Sequence, residues 1–356
     1  MKALVLSGGS GTRLRPLSYS MPKQLIPIAN KPVLAHVLKN IQELGVTEIG
    51  VIVGDWAPEI SDVMGDGSRC GTRVTYIKQD EPLGLAHCVE LARDFLGEDD
   101  FVMYLGDNML PDGIQEIAEE FRSARPAAQV VVHKVSDPRA FGVVEFDQDG
   151  QVERLVEKPQ EPRSDLALIG VYFFTSAIHE AVGAIEPSAR GELEITDAIQ
   201  WLVTQGAEVR ASEYGGYWKD TGKADDVLEC NRHILAGLST DIAGDIDAES
   251  EIGDQVVIAP GARVVRSRID GPAVIGPGTV ITDSHIGPFT SIGSGCALSA
   301  TTVEESIVLD GAQISRIEKV HYSLIGRNAT VGIGAGTPAP HHRLIVGDHT
   351  RVEVAA

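Results

Sequence analysis

The sequence predicts an α/β domain with a mixed, mostly parallel sheet, followed by a parallel β-helix. From Lys2 to about Val135, strand-like and helix-like segments alternate, as expected for a mostly parallel sheet with helices on both faces. After about Thr240, short β-branched segments recur beside glycine about every six residues, which is the repeat of a β-helix. We therefore predict two domains, residues 1–240 and 241–356.

Hydrophobic periodicity locates the elements of the first domain. The predicted strands are Ala3–Leu6, Glu48–Val53, Arg73–Lys78, Phe101–Leu105 and Gln129–Val135. The predicted helices between them are Val33–Leu44, Leu85–Phe95 and Ile114–Arg122. Ligands of such sheets bind at the carboxyl ends of the strands, so we expect the loops after Leu6 and Leu105 to lie at the ligand-binding edge.

A β-rich segment interrupts this alternation. Its predicted strands are Gly142–Phe146, Gln151–Glu157 and Leu168–Phe174, with a hairpin turn at Asp149-Gly150. We interpret the segment as an insertion that covers one side of the ligand cleft. Helical patterns follow at Ala177–Ala184, Ile195–Thr204 and about Lys223 to Leu238.

The second domain is predicted from recurring aliphatic–glycine pairs. They include Ile252-Gly253, Ile275-Gly276, Ile286-Gly287, Ile292-Gly293, Ile325-Gly326 and Val346-Gly347. The aliphatic residue is expected to fill the inside of each rung, and glycine or another small residue to turn the corner. This periodicity does not determine the handedness of the coil.

Composition excludes several classes of protein. The chain has 30 Lys and Arg against 51 Asp and Glu, a formal net charge of −21, so it is a poor candidate for nucleic-acid binding. Its dispersed cysteines, Cys70, Cys88, Cys230 and Cys296, form no C-x-x-C pair and fit a reducing compartment. No apolar run has the length of a membrane span, and the first strand begins where a signal peptide would lie. We therefore expect a cytoplasmic protein without a membrane partner.

The most informative segment runs from Leu6 to Leu25. It joins a glycine-rich turn to two cationic residues, Arg13 and Lys23. Glycines let a backbone approach phosphate oxygens closely, and the cations neutralise negative charge. The segment predicts a polyanion site. It is not a Walker loop, because no Gly-Lys-Ser/Thr follows, and it fits the dinucleotide fingerprint poorly, because Arg13 stands where that fingerprint has a small residue.

Other candidate residues follow strand-like segments. Asp107, after the fourth strand, and Asp220, before the last helix, are carboxylates that could together hold Mg²⁺. Gln79 and Gly84 could pair with the imide edge of thymine or uracil, whereas cytosine or a purine would leave a buried group unpaired. Lys158, in Glu157-Lys158-Pro159, could reach a sugar phosphate.

These strings resemble those of the sugar-1-phosphate nucleotidylyltransferases, and among them the glucose-1-phosphate thymidylyltransferases. The matching segments are Gly8–Leu25, Asn30-Lys31-Pro32, Gln79 with Gly84-Leu85-Ala86, Leu105–Asn108, Phe141–Phe146, Glu157-Lys158-Pro159, Arg190–Asp197 and Asp220-Thr221-Gly222. The hexapeptide region resembles that of the long members, so the resemblance covers essentially the whole chain. Two positions depart from the short members, which usually carry Gln at position 87 and Tyr at position 141; here they are His87 and Phe141.

The resemblance implies a Rossmann-like catalytic domain, a left-handed β-helix, Mg²⁺ as cofactor and a homo-oligomer. The implied reaction, a step of deoxysugar biosynthesis, converts dTTP and α-D-glucose 1-phosphate to dTDP-glucose and pyrophosphate. The implied nucleotide-binding residues are Leu6, Gly8, Gly9, Gly11, Thr12, Gln79, Pro82, Gly84 and Asp107. The implied catalytic residues are Arg13, Lys23 and Lys158, the sugar-binding residues Asn108, Gly142, Glu157, Lys158 and Val171, and the metal ligands Asp107 and Asp220.

Three alternatives remain open. The substrates could be UTP or another sugar 1-phosphate, such as an N-acetylhexosamine 1-phosphate. The β-helix could carry an acyltransferase site, for which His285 and His321 are the candidates. The chain could instead be a non-catalytic sugar-nucleotide sensor, although such a subunit would be expected to have lost Arg13, Lys23 or an aspartate. The simplest role of the β-helix is as a platform for oligomerisation or regulation.

Overall fold

The computed structural model describes residues 1–9, 11–68, 71–334 and 344–355, so Cys70 lies outside the described residues. The chain forms two compact units. Unit 1 comprises Met1–Gly9 and Leu34–Asp220, and unit 2 comprises Ser10–Val33 and Thr221–Ala356. These units do not coincide with the predicted domains 1–240 and 241–356, whose boundary stays a prediction. Residues 10–33 group with the C-terminal part of the chain, although the sequence places them in the first domain.

Unit 1 is built around one sheet. In the described residues it has nine strands. Seven of them lie in the order Val152–Glu157, Gly142–Phe146, Leu166–Phe174, Phe101–Leu105, Lys2–Leu6, Glu48–Val53 and Arg73–Lys78. The other two form a branch, in which Ala128–Lys134 pairs with Leu166–Phe174 and Val209–Glu213 pairs with Ala128–Lys134. The four strands from Phe101–Leu105 to Arg73–Lys78 are mutually parallel. Three of them are apolar runs typical of parallel strands covered on both faces, whereas the edge strand Arg73–Lys78 has no buried residue. The predicted mixed, mostly parallel α/β domain is therefore confirmed.

The helices of this part of the chain pack their apolar side chains against the sheet. They span Val33–Glu43, Ala57–Met64, Leu85–Leu91, Arg93–Leu96, Gln115–Ala124, Ile178–Ala184 and Ile195–Thr204. Phe121, for example, stacks on Phe173 of the longest strand with ring centroids 5.4 Å apart. The helix Ala57–Met64 and the strand Val209–Glu213 are not among the elements predicted from the sequence.

The interpretation of the β-rich segment as an insertion is wrong for its longest strand. Leu166–Phe174 lies inside the sheet, antiparallel to Phe101–Leu105, with Val171 opposite Tyr104. Eight of its nine residues are buried, and such a strand must lie within the sheet rather than over it. The other two predicted strands form a hairpin that extends the sheet, and the turn at Asp149-Gly150 is present, with Gly150 at φ +76°.

Unit 2 begins with short elements. Residues 11–33 contain three single 3₁₀ turns and a two-strand hairpin, at Thr12–Leu14, Leu17–Tyr19, Lys23–Leu25, Pro27–Ile28 and Lys31–Pro32. The helix Ala224–Ala236 follows later in the chain and precedes the β-helix.

The β-helix consists, in its described residues, of three parallel sheets. The first contains Asp241–Ile242, Val256–Ile258, Ala273–Ile275, Thr290–Ile292, Ile307–Val308, Leu324–Ile325 and Ile345–Val346. The second contains Asp245–Ile246, Arg263–Val265, Val280–Thr282, Ala297–Ser299, Gln313–Ser315, Thr330–Gly334 and Arg351–Ala355. The third contains Glu251–Ile252, Arg268–Ile269, His285–Ile286, Thr302–Glu304 and Val320–His321.

One turn of the coil takes about 17 residues. Arg263 pairs with Val280, and Val280 pairs with Ala297. Three faces therefore share each turn, at about six residues per face, which is the predicted repeat. The parallel β-helix is confirmed, and its left-handed sense stays a prediction.

The inside of the coil is an aliphatic stack. Val264, Ile281 and Leu298 lie above one another in register and are at most 1% exposed. Serine hydroxyls link successive turns, since Ser267 Oγ accepts from the backbone N–H of Ser284 at 3.0 Å. Each turn therefore depends mainly on its neighbours for stability.

The predicted corner residues are only partly correct. One row of corners uses glycine at positive φ: Gly261, Gly278, Gly295 and Gly311. A second row has larger residues at positive φ, including Arg266, Asp283 and Arg316. Arg266 Nε and Asp283 Oδ1 are 2.7 Å apart, so side-chain pairing between turns can offset part of the backbone strain at these corners. In the described residues, no helix has the length and apolarity needed to cross a membrane.

Ile281→Ala should lower the free energy of unfolding of the β-helix by about 2–5 kcal/mol, because it leaves a cavity in the aliphatic stack. Val280→Ala is the matched control from the same strand, since Val280 is 38% exposed and should cost under about 1 kcal/mol. Urea unfolding followed by circular dichroism measures both. Equal losses would contradict the assignment of the interior.

Candidate functional site

Two loops meet at the carboxyl edge of the unit 1 sheet, as predicted. The backbone N–H of Gly106 donates to Leu6 O at 2.8 Å, which joins the end of one central strand to the end of its neighbour. A Cβ at Gly106 would lie 2.6 Å from Ser7 Oγ, so only glycine permits this approach. Gly8 and Gly9 follow, and Gly9 has φ +103°. The loops that carry the predicted nucleotide-binding and metal residues of unit 1 are therefore neighbours.

Gln79, predicted to recognise the base, follows the edge strand Arg73–Lys78. Its backbone N–H donates to Val53 O at 2.8 Å. Its side-chain Nε2 donates to Gly84 O at 3.4 Å and lies 3.1 Å from His87 Nδ1. A Cβ built on Gly8 would lie 3.3 Å from Gln79 Oε1. The fold therefore brings together Gly8, Gln79 and Gly84, and His87 helps to orient the Gln79 amide.

A short clamp holds the loop around Gly84. Leu193 N donates to Leu83 O at 2.7 Å, and Ala86 N donates to Leu193 O at 3.0 Å. Gly84 has φ +109°, and a Cβ there would lie 2.4 Å from Leu193 O. No other residue fits this position without moving the backbone. Pro82, in the same loop, is exposed.

Cys88 is not a candidate nucleophile, although it lies one turn after Gly84. Its Sγ donates to Gly84 O at 3.5 Å. Burial raises the pKa of the Cys88 thiol to about 12, so the thiol stays neutral near pH 7.

The two predicted metal ligands come together through a small antiparallel ladder. Asn108–Met109 pairs with Lys219–Asp220, which places Asp220 opposite Asn108 and next to Asp107 in register. Asp107 is 8% exposed, and Asn108 Nδ2 donates to Asp107 Oδ1 at 3.1 Å. Both residues therefore lie just beyond the carboxyl end of the central strand Phe101–Leu105.

This donor set fits Mg²⁺. The described residues contain no cluster of three or more His, Cys, Asp or Glu side chains arranged to hold a metal. Asp107 and Asp220 are two carboxylate-bearing residues on neighbouring segments. Mg²⁺ prefers oxygen ligands and is commonly held by one or two carboxylates, with water and phosphate oxygens completing the octahedron. Asp107 and Asp220 match that pattern.

The predicted sugar-binding residues also cluster. Gly142 and Glu157 are direct partners on neighbouring strands. A Cβ at Gly142 would lie 3.1 Å from Glu157 Oε2 and 2.7 Å from the Leu168 side chain, so glycine keeps space beside the carboxylate. Lys158, at φ +43°, has its Nζ 3.0 Å from Glu157 Oε1. Val171 is completely buried, so we expect any ligand contact there to involve its backbone.

Glu157 is the centre of a charged cluster. Arg190 Nη1 lies 3.4 Å from Glu157 Oε1 and 3.3 Å from Glu194 Oε1. Burial, and to a smaller extent the charge of Glu157, raise the pKa of Glu194 and of Asp197 above their ordinary values. Two cations, Lys158 and Arg190, thus lie among the carboxylates of Glu157 and Glu194, where a polar, anionic ligand is expected.

The remaining predicted residues lie in unit 2. Gly11, at φ +58°, precedes the 3₁₀ turn that contains Thr12 and Arg13. A Cβ at Gly11 would lie 3.2 Å from Ser18 Cβ and 3.4 Å from Lys23 Cβ, so the glycine lets the turn fold against Lys23. Thr12 and Arg13 are exposed, and Lys23 is half-buried. Gly11 thus links the two predicted cations within one compact segment.

Sequence reasoning missed two residues that organise the site. Trp218 Nε1 donates to Asn108 Oδ1 at 2.8 Å, and its ring packs between His133 and Phe141, at 5.8 and 5.4 Å. Arg190 pairs with Glu157, as described above. Their positions in the sequence could have indicated both residues. Trp218 lies two residues before Asp220, and Arg190 begins one of the segments that carry the resemblance.

Comparison with known proteins identifies similar sequences and a similar structure. The nucleotidyl transferase family model matches residues 2–237. The sequence is 52% identical to a glucose-1-phosphate thymidylyltransferase of Streptomyces griseus, and the alignment of 357 residues covers the whole of both chains. It is also 52% identical to one of Streptomyces antibioticus over 99% of each chain. A Bacillus anthracis protein solved with a sucrose superimposes with a TM-score of 0.63 at 32% identity, covering 68% of this chain and 98% of the other.

Gly84→Ala should destabilise the protein more than Gly97→Ala does. Both glycines have positive φ, so each substitution costs about 1–3 kcal/mol in backbone strain. Only at Gly84 does the added methyl also collide with backbone, because no heavy atom lies within 4 Å of a Cβ at Gly97. Thermal unfolding of the two variants tests the clamp. A smaller loss at Gly84 than at Gly97 would show that this loop is not constrained as described.

Proposed function

This chain belongs to the nucleotidyl transferase family, and on that premise we propose that it transfers the thymidylyl group of dTTP to α-D-glucose 1-phosphate. The products are dTDP-glucose and pyrophosphate. The main support is full-length similarity, at 52% identity, to two relatives that carry the name of this activity. The matched length includes the β-helix as well as the catalytic region.

The arrangement around Gln79 supports a pyrimidine imide as the base. With Nε2 directed at Gly84 O and His87 Nδ1, Gln79 presents its Oε1 on the side of Gly8. A carbonyl oxygen there can accept the N3–H of thymine or uracil. Adenine and cytosine carry no ring N–H at the equivalent position, so they would leave the acceptor unpaired. Pro82 and Gly84 complete the proposed base-binding loop, and Leu6, Gly8, Gly9, Gly11 and Thr12 are proposed to bind the remainder of the nucleotide.

The proposed reaction is a single in-line displacement. A phosphate oxygen of glucose 1-phosphate attacks the α-phosphorus of dTTP, the bond to the β-phosphate oxygen breaks, and pyrophosphate leaves with that electron pair. The nucleophile is already ionised, so no general base is needed and catalysis consists of positioning and charge stabilisation. Arg13 and Lys23 would neutralise the triphosphate and the departing pyrophosphate. One phosphoanhydride replaces another, so the reaction should be freely reversible.

Mg²⁺ is the proposed cofactor, held by Asp107 and Asp220. When bound, it would supply positive charge to the phosphate oxygens. Asn108 would hold Asp107 in place through its hydrogen bond to Oδ1 and would also face the sugar. Trp218, which donates to Asn108 Oδ1, fixes that amide in turn.

The sugar phosphate is proposed to bind beside Glu157. Gly142 leaves space next to the Glu157 carboxylate, which can accept hydrogen bonds from sugar hydroxyls. Lys158, already 3.0 Å from that carboxylate, would exchange part of this ion pair for the sugar phosphate. Val171 would contribute through its backbone. Lys158 would then lie at the nucleophilic phosphate, separate from the cations proposed for the leaving group.

We also propose that the protein is cytoplasmic, because nucleoside triphosphates are available there. We further propose a role in deoxysugar biosynthesis and a homo-oligomeric assembly through the β-helix. Cys88, Cys230 and Cys296 are buried and form no disulfide, which fits a reducing compartment. Light scattering of the full chain tests the assembly.

Asp107→Asn and Asp220→Asn should each reduce turnover at least about 100-fold, because each removes a charge from the proposed metal site. Asp149→Asn is the control, an exposed aspartate of the 147–150 turn, and should retain wild-type turnover. Pyrophosphate release is measured across a Mg²⁺ titration, with circular dichroism to check folding. Full activity of Asp107→Asn in excess EDTA would remove the metal assignment.

Nucleotide preference provides the direct test of the proposed function. Thymine and uracil share one imide edge and differ by a methyl group worth about 0.8 kcal/mol if buried, or about a fourfold preference. We therefore expect dTTP to be the best substrate, UTP a measurable second, and ATP, GTP and CTP poor.

The measurement is kcat/KM for each nucleotide with glucose 1-phosphate and with N-acetylhexosamine 1-phosphates. A purine nucleotide that outperforms both pyrimidines would overturn the role of Gln79. No pyrophosphate release with any pair would favour the sensor alternative.

A further inference from the structure

The segment that carries Arg13 and Lys23 has little structure of its own. It consists of three single 3₁₀ turns and a hairpin with two residues in each strand. Such elements make few internal hydrogen bonds and do not hold a geometry alone. Contacts of the segment with the rest of unit 2 therefore contribute to the positions of the two cations.

The first set of contacts is at the hairpin. Asn231, on the helix Ala224–Ala236, is 1% exposed. Its Oδ1 accepts from Ala29 N at 2.9 Å and from Ser291 Oγ at 2.7 Å, and its Nδ2 donates to Phe289 O at 3.2 Å. One buried amide thus ties the hairpin to the helix and to a rung of the β-helix. Burial makes each of these bonds costly to lose.

The hairpin also contacts the β-helix directly. Asn30 Nδ2 donates to Ile292 O at 2.7 Å. Asn30 has φ +61°, a conformation that asparagine and glycine tolerate best, so the turn directs this amide at the rung. The donor lies seven positions after Lys23 in the chain.

The second set of contacts lies between the two cations. Arg327, on a late turn of the β-helix, donates from Nη2 to Ser20 O at 2.8 Å. Its Nε donates to Asp348 Oδ2 at 2.7 Å, and Asp348 Oδ1 accepts from Arg327 N at 2.6 Å. The Asp348 side chain is 1% exposed. This buried carboxylate therefore holds the Arg327 guanidinium in a fixed orientation for its bond to Ser20 O. A Cβ at Gly347 would lie 3.4 Å from Pro16 Cβ, which brings the same turn against the segment at a second point.

We propose that the β-helix positions Arg13 and Lys23, with Arg327 and Asn30 as positioning residues. The β-helix then contributes to the chemistry as well as to assembly. The inference rests on the proposed function, because Arg13 and Lys23 matter for rate only if they bind the triphosphate. Displacing such charges by a fraction of an ångström weakens their interaction with phosphate oxygens.

The test uses the full chain and compares Arg327→Ala with Arg266→Ala. Arg266 makes the same kind of ion pair between turns, with Nε and Nη2 both 2.7 Å from the Asp283 carboxylate. Its removal therefore controls for the loss of an Arg–Asp pair. Asn30→Gly is the second variant, because glycine keeps the positive φ while removing the donor.

Two readouts distinguish positioning from stability. Limited trypsin digestion with intact-mass detection reports the accessibility of the bonds after Arg13 and Lys23. Steady-state kinetics reports KM for dTTP and for glucose 1-phosphate separately. For Arg327→Ala and Asn30→Gly we expect cleavage to be about fivefold faster and KM for dTTP to be about fivefold higher. A change of this size corresponds to the loss of one partly exposed hydrogen bond to a charged group. The KM for glucose 1-phosphate should stay within about twofold of the wild-type value. Arg327→Lys should recover part of the effect, and Arg266→Ala should change neither quantity.

Cleavage rates and nucleotide KM equal to those of Arg266→Ala in both variants would overturn the proposal. If Arg327→Ala fails to fold, Asn30→Gly decides it. If the wild-type protein releases no pyrophosphate from any nucleotide, the proposed function fails, while the proteolysis still decides whether the β-helix holds the segment.

Discussion

The antiparallel pair between Asn108–Met109 and Lys219–Asp220 is the constraint on which the candidate site depends. Trp218 Nε1 and Asn108 Oδ1, which bond across this ladder, are 110 residues apart in sequence. A pair of two-residue strands is too short to be stable alone. The packing of Trp218 against His133 and Phe141 therefore holds the ladder, and the ladder brings Asp220 to the strand end that carries Asp107.

The charges proposed to handle phosphate are local in a strongly acidic chain. With a formal net charge of −21, the protein as a whole repels polyanions. Arg13 and Lys23 share one glycine-rich segment, while Lys158 and Arg190 share the Glu157 carboxylate. Within unit 1, Lys158 and Arg190 lie in the same sheet-based unit as the proposed carboxylates and the base-binding amide. Because the proposed reaction needs no general base, the placement of these charges carries most of the catalytic effect.

Much of the fold is predictable from local patterns. Three of the four parallel strands, Lys2–Leu6, Glu48–Val53 and Phe101–Leu105, are strongly apolar, and the edge strand Arg73–Lys78 alternates, so sequence locates them within a residue or two. Val209–Glu213 was missed because it mixes Arg, Ser and Glu with few apolar residues, as strands at a sheet edge commonly do. Ala57–Met64 was missed because it is short and begins beside a proline. Leu166–Phe174 was recognised as a strand, but its position in the sheet was wrong, because an apolar run does not indicate which strands pair with it.

Long-range contacts explain what sequence could not predict. Gln79 and Asp107 are predicted at strand ends and Gly84 and Asp220 just before helices, and the fold brings them into two groups of loops in unit 1. The contacts of the 11–33 segment were not predictable, since Arg327 and Ser20 are 307 residues apart and no local pattern links them.

Transfer of a labelled phosphorus tests the central claim most directly. The full chain is incubated with Mg²⁺, glucose 1-phosphate and dTTP labelled at the α-phosphorus, and in parallel with dTTP labelled at the γ-phosphorus. The proposed displacement predicts that the α label appears only in dTDP-glucose and the γ label only in pyrophosphate, in equal amounts. Release of the γ label as inorganic phosphate, or retention of the α label in dTMP or dTDP, would contradict it.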